Sequence, residues 1–418
     1  MNILIRNIKE LIQTNRKEDI VKGSEMSRLP SIKDAWIFVE NGIIKAFGPM
    51  KDMKNNPQYD KMIKDDVKVI DAKGKMVFPA FCDSHTHIVY AGSREIEYID
   101  KIRGLSYEEI AKRGGGILNS AKKLQETSEE ELIEQAMERL DEIKMLGTGA
   151  VEIKSGYGLN TESELKMLRV IKKLKDISPL TIKATFLGAH SIPAEYKKNQ
   201  TEYVDIVINE MIPAVAGEDL ADYIDVFCDK GFFTEEETDR ILMAGVKHGM
   251  KPKIHANELD YSGGIQVGVR YNALSVDHLE FTGEKEIEVL KNSDTMPCLL
   301  PGAAFFLGME YPPARKMIDS GLPVAMASDY NPGSSPSGNM QFIMSLGCIK
   351  FRMIPEEVIN AVTINGAYAM GVEDTLGSID VGKKANLFIT KPISTYAFMP
   401  YAYGSNKVES VIINGELQ

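Results

Sequence analysis

The sequence predicts an α/β protein, a (β/α)8 TIM-type barrel with a small β-sandwich domain built from both chain ends. Its 418 residues exceed what one small core uses. Eight short apolar runs alternate with helix-patterned segments in the middle of the chain, whereas both ends carry hairpin patterns. Eight such units close most naturally as a barrel, and an open doubly wound parallel sheet is the alternative.

The eight apolar runs are predicted to be the barrel strands, within a barrel domain spanning residues 78–375. Each run is apolar or β-branched and ends in polar residues, and the runs occupy 77–83, 150–154, 181–188, 223–227, 251–255, 273–277, 295–300 and 322–327. The segments between them are charged on one side and apolar at three-to-four spacing, as at 106–146, 161–177, 202–215, 234–248 and 284–292. They predict crossover helices, and the polar strand ends are expected to meet at one face.

The two chain ends, residues 1–77 and 376–418, are expected to form one small β domain together. Asn41-Gly42 separates two short apolar runs and is typical of a tight hairpin turn. Asn414-Gly415 has the same composition after the apolar run 408–413. Two ends with the same pattern predict strands that pair with each other.

Charge and cysteine usage limit the partners and the compartment. Lys and Arg number 49 against 60 acidic residues, a net charge of -11, which is the wrong sign for a surface that neutralises phosphates. The four cysteines are scattered and form no C-x-x-C pair, which predicts reduced thiols in a cytoplasmic protein. Neither an export signal nor a run of ~20 apolar residues is visible. We expect no nucleic-acid or membrane partner.

Histidines concentrate at the predicted strand ends. Residues two apart on a strand project to the same side, so His85 and His87 can both bind one metal ion. A lone H-x-H pair is weak evidence, because a solvated loop also explains it. Of the six histidines, however, only His248 lies elsewhere, and the strand-end set is His85, His87, His190, His255 and His278. Chance placement would rarely produce that set.

These histidines and the carboxylate of Asp329, after the eighth run, predict a metal site. Neutral imidazoles with a carboxylate are ligands of Zn²⁺ or non-haem iron. A bound divalent ion lowers the pKa of its water towards ~7, so the predicted reaction is hydrolysis. Glu258 lies three residues past His255, on the loop over the ion, where it can pass protons. Asp329 and His278 can also take a proton from the water, and the order of transfer stays open.

Nine motifs that follow one another along the barrel resemble those of imidazolonepropionases, a family of the amidohydrolase superfamily. They are His85-Thr86-His87, GSRE at 92–95, LSYEEI at 105–110, GGGIL at 114–118, EIKSGYG at 152–158, FLGAH at 186–190, HANE at 255–258, DHLE at 277–280 and DYNPGSSP at 329–336. Together they are highly specific, whereas the metal-ligating residues alone would fit many amidohydrolases.

The resemblance implies hydrolysis of 4-imidazolone-5-propanoate to N-formimino-L-glutamate, in histidine breakdown, by a homodimer. It implies one divalent ion per chain, Zn²⁺ or Fe (Fe²⁺/Fe³⁺), held by His85, His87, His255 and Asp329. Glu258 and His278 would handle protons, with Asp329 beside them. The substrate would be held by Arg94, Tyr107, Tyr157, His190 and Glu258, and Asn331, Gly333 and Ser334 would line the pocket.

Simple physics supports part of this assignment and leaves alternatives. A propanoate group favours a cation with fork geometry, which Arg94 supplies, although Arg94 can equally form a surface ion pair with Glu95 or Glu97. Tyr107 can instead pack its helix. The turn 331–335 can present backbone N–H groups as an anion nest or be an ordinary Pro-Gly turn. The glycines at 114–116 predict a flexible loop.

Three other functions fit part of the sequence. A one-metal deaminase of the cytosine or guanine type shares the ligand pattern but needs no carboxylate clamp. A two-metal hydrolase would need a carboxylated lysine, for which Lys230 is the candidate. A non-catalytic binding protein would keep the barrel and lose the reaction, yet every expected ligand and proton carrier is present.

Overall fold

The computed structural model describes residues 2–16, 18–105 and 116–418. Its strands are β1 (Asn2–Ile12), β2 (Ser31–Glu40), β3 (Ile43–Pro49), β4 (Val67–Asp71), β5 (Met76–Pro79), β6 (Phe81–Thr86), β7 (Thr148–Lys154), β8 (Thr181–Ala189), β9 (Tyr223–Cys228), β10 (Lys251–Ala256), β11 (Ser275–His278), β12 (Met296–Leu299), β13 (Ala325–Met326), β14 (Leu387–Thr390), β15 (Val408–Ile413) and β16 (Glu416–Leu417). They form two sheets of eight strands each.

The first sheet is the predicted barrel. Strands β6 to β13 pair in chain order, and every pair is parallel. The last strand returns to the first through the backbone N–H of Asp329, which donates to the carbonyl of His85 at 3.0 Å, and that of His87, which donates to Tyr330 at 2.9 Å. Strand β6 and the segment after β13 are therefore adjacent, which closes the barrel at the metal-ligand positions.

Helices follow the barrel strands as predicted. They are Glu95–Ile102, Ile117–Glu126 and Glu129–Met145 after β6; Thr161–Ile177 after β7; Gln200–Ile206 and Ile212–Gly217, joined by a π-turn at Val207–Met211, after β8; Glu235–Lys247, Gly264–Arg270 and Glu284–Lys291 after β9, β10 and β11; Pro301–Leu307 and Ala314–Asp319 after β12; and Met340–Ile349, Pro355–Val362 and Ile364–Ala369 after β13. The described residues also form short helices at Tyr59–Met62 and Phe398–Tyr401, and 3-10 turns at Gly23–Ser27, Met50–Asn55 and Ala194–Tyr196.

Local sequence explains where the longer helices begin. Glu235–Lys247 starts with a capping box between Thr234 and Glu237, and acidic residues fill its first turn. Thr161–Ile177 starts at Asn160, whose side chain accepts the N–H of Ser163. Its buried residues recur at three-to-four spacing, so one face packs against the sheet.

The second sheet is built from both chain ends. Its order is β16-β15-β14-β5-β1-β2-β3, with β4 also paired to β1, so the C-terminal strands join the N-terminal ones through β5. The predicted turns at Asn41-Gly42 and Asn414-Gly415 join β2 to β3 and β15 to β16. Ile44 of β3 and Ile412 of β15 share one buried cluster although they lie near opposite edges, so the sheet folds over its own core.

The first predicted barrel strand needs a correction. Residues 77–83 are not one strand, because Met76–Pro79 pairs with β14 and β1 in the terminal sheet, and the barrel strand begins only at Phe81. Ala80 separates the two and donates its N–H to Asn386. Both halves are buried and apolar, so composition alone does not reveal the division.

Among the helices of the described ranges, none combines the length and the apolar character that a bilayer crossing requires.

Candidate active site

The predicted ligands converge at the C-terminal ends of the barrel strands. His85 is the second-last residue of β6 and His87 follows that strand, His255 lies on β10, His278 ends β11, and Asp329 follows β13. All five are at most 3% exposed. Parallel strands bring their C-terminal ends to one face, which is why residues from four parts of the chain meet.

The donor atoms lie close enough to share one ion. Asp329 Oδ1 is 3.5 Å from His85 Nε2 and 3.6 Å from His87 Nε2. The ligand atoms of His85, His87 and Asp329 all lie within 4.8 Å of one another, and so do those of His85, His255 and His278. His278 therefore lies within the same distance of His85 and His255, two of the ligands that the resemblance implies.

The chemistry of the donors fits a metal ion. Within the described residues, Nε2 of His85 and of His255 are buried and have no hydrogen-bond partner. Buried polar atoms are normally satisfied, so such nitrogens need an explanation, and a cation supplies one. Burial holds the pKa of His85 and of His87 well below the usual range, so both imidazoles are neutral, as metal ligation requires.

Two aspartates that we did not predict orient these rings. His85 Nδ1 lies 2.6 Å from Asp277 Oδ2, and His255 Nδ1 lies 3.0 Å from Asp225 Oδ2. A carboxylate on Nδ1 leaves Nε2 to face the ion position. The sequence carried a signal for them, since a charged residue inside an apolar strand that is buried on both faces needs a partner.

The backbone at the site adopts unusual conformations. His278 and Leu279 have φ of 81° and 72°, and Asn257 and Asp329 have φ of 56° and 53°. Non-glycine residues in this region cost about 1–3 kcal/mol each and are found where the surrounding structure enforces them. Ten other non-glycine residues of the described ranges also have positive φ, so this strain accompanies the converging side chains but does not by itself identify the site.

Glu258 lies beside His278, as predicted. Its Oε2 is 3.7 Å from His278 Nε2, and burial together with the nearby Asp329 and Asp229 raises the pKa of Glu258 to about 8. Asp229, which we did not predict, holds this loop by accepting the N–H groups of Glu258 at 2.7 Å and Leu259 at 2.8 Å. A carboxyl with a pKa near neutrality can both take and give a proton.

Arg94 combines both predicted environments. Its Nε and Nη2 lie 2.8 Å and 2.7 Å from Glu97 Oε2, so the ion pair exists, yet the guanidinium also lines the site cavity. The guanidinium has five N–H donors, so its pairing with one oxygen of Glu97 leaves donors free to bind a group in the cavity. A Cβ at Gly333 would lie 2.1 Å from Arg94 Nη1. Glycine at that position lets the guanidinium reach the cavity.

His190 and Tyr157 form one wall of the site. His190 Nδ1 lies 2.9 Å from the carbonyl of Gly156, and its ring stacks on His87 with centroids 5.2 Å apart. Burial lowers the pKa of His190 to about 3, so its ring is neutral. Glu164 accepts the N–H of Gly156 at 3.1 Å and that of Gly158 at 2.7 Å, which fixes the loop that carries Tyr157.

The loop after β13 is an ordinary turn, and the anion nest that we considered is wrong. Asn331 Oδ1 accepts the N–H groups of Gly333 and Ser334, both at 2.8 Å, so these donors are already used. Asn331 Nδ2 donates to the carbonyl of Asp329 and to Ser334 Oγ, both at 2.7 Å. The amide side chain therefore shapes the loop that presents Asp329.

The remaining predictions have mixed outcomes. Tyr107 and the first two glycines of 114–116 lie outside the described residues. His248 is exposed and away from the site, as expected. The side chain of Lys230 is 78% exposed and pairs with Asp260 at 2.9 Å, so Lys230 is wrong as a carboxylated metal ligand.

A cavity of about 360 Å³ opens onto this cluster. Within the described ranges, every predicted site residue except His85 lines it, and apolar walls come from Ile117, Phe227, Phe232, Leu259 and Leu307. This is the size and the mixed polarity of a small-molecule site. The site thus brings a histidine-rich cluster able to hold a metal ion, a buried carboxyl and a guanidinium into one cavity.

Gly156→Ala is expected to raise KM and to destabilise the fold by about 1–3 kcal/mol. The new Cβ would lie 2.9 Å from His190 Nδ1, and φ is 110°. Gly249→Ala is the matched control, since φ there is 86° but no atom lies within 4 Å. Urea unfolding and steady-state kinetics separate the effects. If both variants raised KM equally, the contact with His190 would not matter.

Comparison with known proteins agrees with this geometry. The sequence model of the Amidohydrolase family matches residues 235–417. The imidazolonepropionases of Christiangramia forsetii and Flavobacterium johnsoniae are 58% and 57% identical, over 100% of this chain and 100% of theirs. That of Geobacillus kaustophilus is 42% identical over 99% of this chain and 97% of its own.

Solved structures with low sequence identity share the fold. E. coli guanine deaminase has a TM-score of 0.73 at 15% identity, covering 100% of this chain and 99% of its own. An atrazine chlorohydrolase variant of Arthrobacter aurescens, in complex with zinc and atraton, has a TM-score of 0.71 at 14% identity. The match covers 99% of this chain and 94% of the chlorohydrolase chain. The barrel and its histidine-rich site define a hydrolase of the amidohydrolase class. Because the chain is 57–58% identical to two imidazolonepropionases over its full length, it belongs to the imidazolonepropionase family.

Proposed function

We propose that this protein hydrolyses the cyclic amide of 4-imidazolone-5-propanoate to N-formimino-L-glutamate, a step of histidine degradation. The observation that carries the proposal is the full-length identity of 57–58% to imidazolonepropionases. The cavity supports it, since a guanidinium for a carboxylate and a histidine cluster for an ion line the same space. A nucleobase deaminase has no use for such a carboxylate clamp.

One divalent ion, Zn²⁺ or iron, would be held by His85, His87, His255 and Asp329. The buried, unpartnered Nε2 atoms of His85 and His255 support this assignment. When bound, such an ion supplies Lewis acidity and makes its water more acidic.

Glu258 and His278 hold and move the protons of the reaction. Glu258 accepts a proton as the water oxygen bonds to the ring carbonyl carbon. His278 Nε2 lies 3.7 Å from Glu258 Oε2, which supports His278 as its partner in proton transfer. The proton then passes to the ring nitrogen that leaves when the carbon–nitrogen bond breaks. Burial raises the pKa of Asp329 to about 7, which makes it the third group able to accept a proton here.

The other cavity residues orient the substrate and exclude water. Arg94 pairs with the propanoate carboxylate, and its guanidinium matches a carboxylate in two parallel hydrogen bonds. Tyr157 and the neutral ring of His190 contact the imidazolone ring. Glu258, Asn331, Gly333 and Ser334 bound the opposite side. The resemblance adds Tyr107 to this set.

A spectrophotometric assay of imidazolone propanoate loss, with and without chelator, tests the function. We expect chelator-sensitive loss of the substrate and formation of N-formimino-L-glutamate. Ammonia release from guanine or cytosine, without any loss of imidazolone propanoate, would overturn the proposal and favour a deaminase.

Arg94→Gln is expected to raise KM about 10- to 100-fold with a smaller change in kcat. Hydrogen bonds to charged groups contribute about 1.5–3 kcal/mol, and each 1.4 kcal/mol is tenfold in affinity. Arg169→Gln is the matched control, because Arg169 also pairs with a glutamate, Glu218 at 2.6 Å, but outside the cavity. An unchanged KM in the Arg94 variant would show that Arg94 does not bind the substrate carboxylate.

We further propose a cytoplasmic homodimer. The free cysteines support a reducing compartment, since Cys82, Cys228, Cys298 and Cys348 form no disulfide with one another. The dimer rests on the family resemblance, and sedimentation equilibrium on the purified chain tests it.

A further inference from the structure

A buried network of charged side chains lies beneath the proposed ligands, inside the barrel. Its members are at most 1% exposed and come from four strands: Glu152 and Lys154 on β7, Asp225 on β9, Lys253 on β10 and Asp277 on β11. On β10, Lys253 and the proposed ligand His255 are two residues apart, so both project to the same side of the strand. The proposed mechanism does not use the two lysines.

Lys154 lies at the centre of this network. Its Nζ is 2.5 Å from Glu152 Oε1, 2.8 Å from Asp225 Oδ2 and 3.7 Å from Asp277 Oδ2. Burial disfavours the charged amine, but Asp225, Glu152 and Asp277 outweigh it and raise the pKa of Lys154. The side chain is therefore a fixed cation between two aspartates.

Those two aspartates are the ones that hold the histidines. Asp277 Oδ2 lies within hydrogen-bond distance of His85 Nδ1, at 2.6 Å, and forms a longer ion pair with Lys154 Nζ, at 3.7 Å. Asp225 Oδ2 accepts from Lys154 Nζ at 2.8 Å and lies 3.0 Å from His255 Nδ1, while Asp225 Oδ1 accepts the backbone N–H of His255 at 3.0 Å. One ammonium thus contacts the oxygens that orient two separate ligand rings.

Lys253 is equally buried but has different partners. Its Nζ donates to Glu152, to the carbonyl of Ser84 at 3.0 Å and to that of Ala369 at 3.1 Å. It forms no ion pair with either histidine-binding aspartate. The chain therefore offers two buried lysines in one network, only one of which contacts the carboxylates behind the ligands.

We propose that Lys154 is a positioning residue for the metal centre, which holds Asp225 and Asp277 so that His255 and His85 present Nε2 to the ion. Without this cation, Asp225 would lose its lysine partner and Asp277 would keep only the through-space charge of Lys253, so the histidine rings would lose part of their fixed orientation. The inference rests on the proposed one-metal site, and it concerns affinity for the ion whatever the substrate.

Cobalt binding to Lys154→Met and Lys253→Met tests this inference. Each purified variant is stripped of metal and titrated with Co²⁺ against a competing chelator, and its visible spectrum reports the ligand geometry. We expect one Co²⁺ per chain in the unaltered protein, about 10- to 100-fold weaker binding with an altered spectrum in Lys154→Met, and a smaller change in Lys253→Met. Equal losses in both variants, or unchanged affinity in Lys154→Met, would overturn the role of Lys154.

Asp277→Asn provides the second arm if Lys154→Met does not fold. Its Co²⁺ affinity is expected to fall about 10- to 100-fold, because the acceptor on His85 Nδ1 loses its charge. If Lys154→Met does fold, combining it with Asp277→Asn should cost less than the sum of the single losses, since both changes break one contact chain. Strictly additive losses, or full affinity in Asp277→Asn, would contradict the inference. An unaltered protein that binds no Co²⁺ would instead refute the metal site itself.

Discussion

Replacement of Glu258 by glutamine is expected to lower kcat about 10²- to 10⁴-fold while metal content stays near one ion per chain. Glutamine has the same size but cannot accept a proton, and Glu258 is not among the proposed ligands. Its pKa of about 8, raised by burial, suits a group that both takes and gives a proton. Steady-state kinetics on imidazolone propanoate and elemental analysis measure the two quantities.

Glu286→Gln is the matched control for this change. Glu286 is also buried, and it accepts the N–H of Gly283 at 2.9 Å at the start of a helix outside the cavity. The control should keep its kcat. Full activity in Glu258→Gln would remove Glu258 from proton transfer, whereas simultaneous loss of the ion would assign it to metal binding.

His85→Ala is expected to reduce bound metal to a small fraction of one ion per chain and to bring turnover near background. His85 belongs to both groups of converging donors, so its removal affects every arrangement of ligands that the cluster allows. Loss of an outer partner of a ligand already costs about 10- to 100-fold, and loss of the ligand itself should cost more. Elemental analysis and kcat/KM check the result.

Two comparisons make the His85 result interpretable. His248→Ala removes the exposed sixth histidine and should leave metal and turnover unchanged. Chelator treatment of the unaltered protein should reproduce the loss, and adding back Zn²⁺ or Fe²⁺ should restore turnover. A His85→Ala protein that kept both its ion and its activity would disprove the assigned cluster.

Much of the site is predictable because strands have a simple geometry. His85 and His87 are two residues apart and so project to the same side of a strand. The C-terminal ends of parallel strands can be identified from the sequence and meet at one face, so the histidine cluster follows from the pattern alone. The charged residues Glu152, Lys154 and Asp225 carried a signal as well, as charges within apolar strands. Their partners, however, lie on other strands, and spacing along the chain does not identify them.

The sequence by itself determined the order of strands and helices, the convergence of five histidines and the family, since these depend on local periodicity and on motifs. Only the tertiary structure decided that residues 77–83 are shared between two sheets, that Asn331 closes its own turn and that Lys230 is exposed. It also decided which nitrogen of His85 is left for the proposed ion, because Asp277, 192 residues away in the chain, occupies the other. Such contacts join distant segments, so they exist only once the barrel has closed.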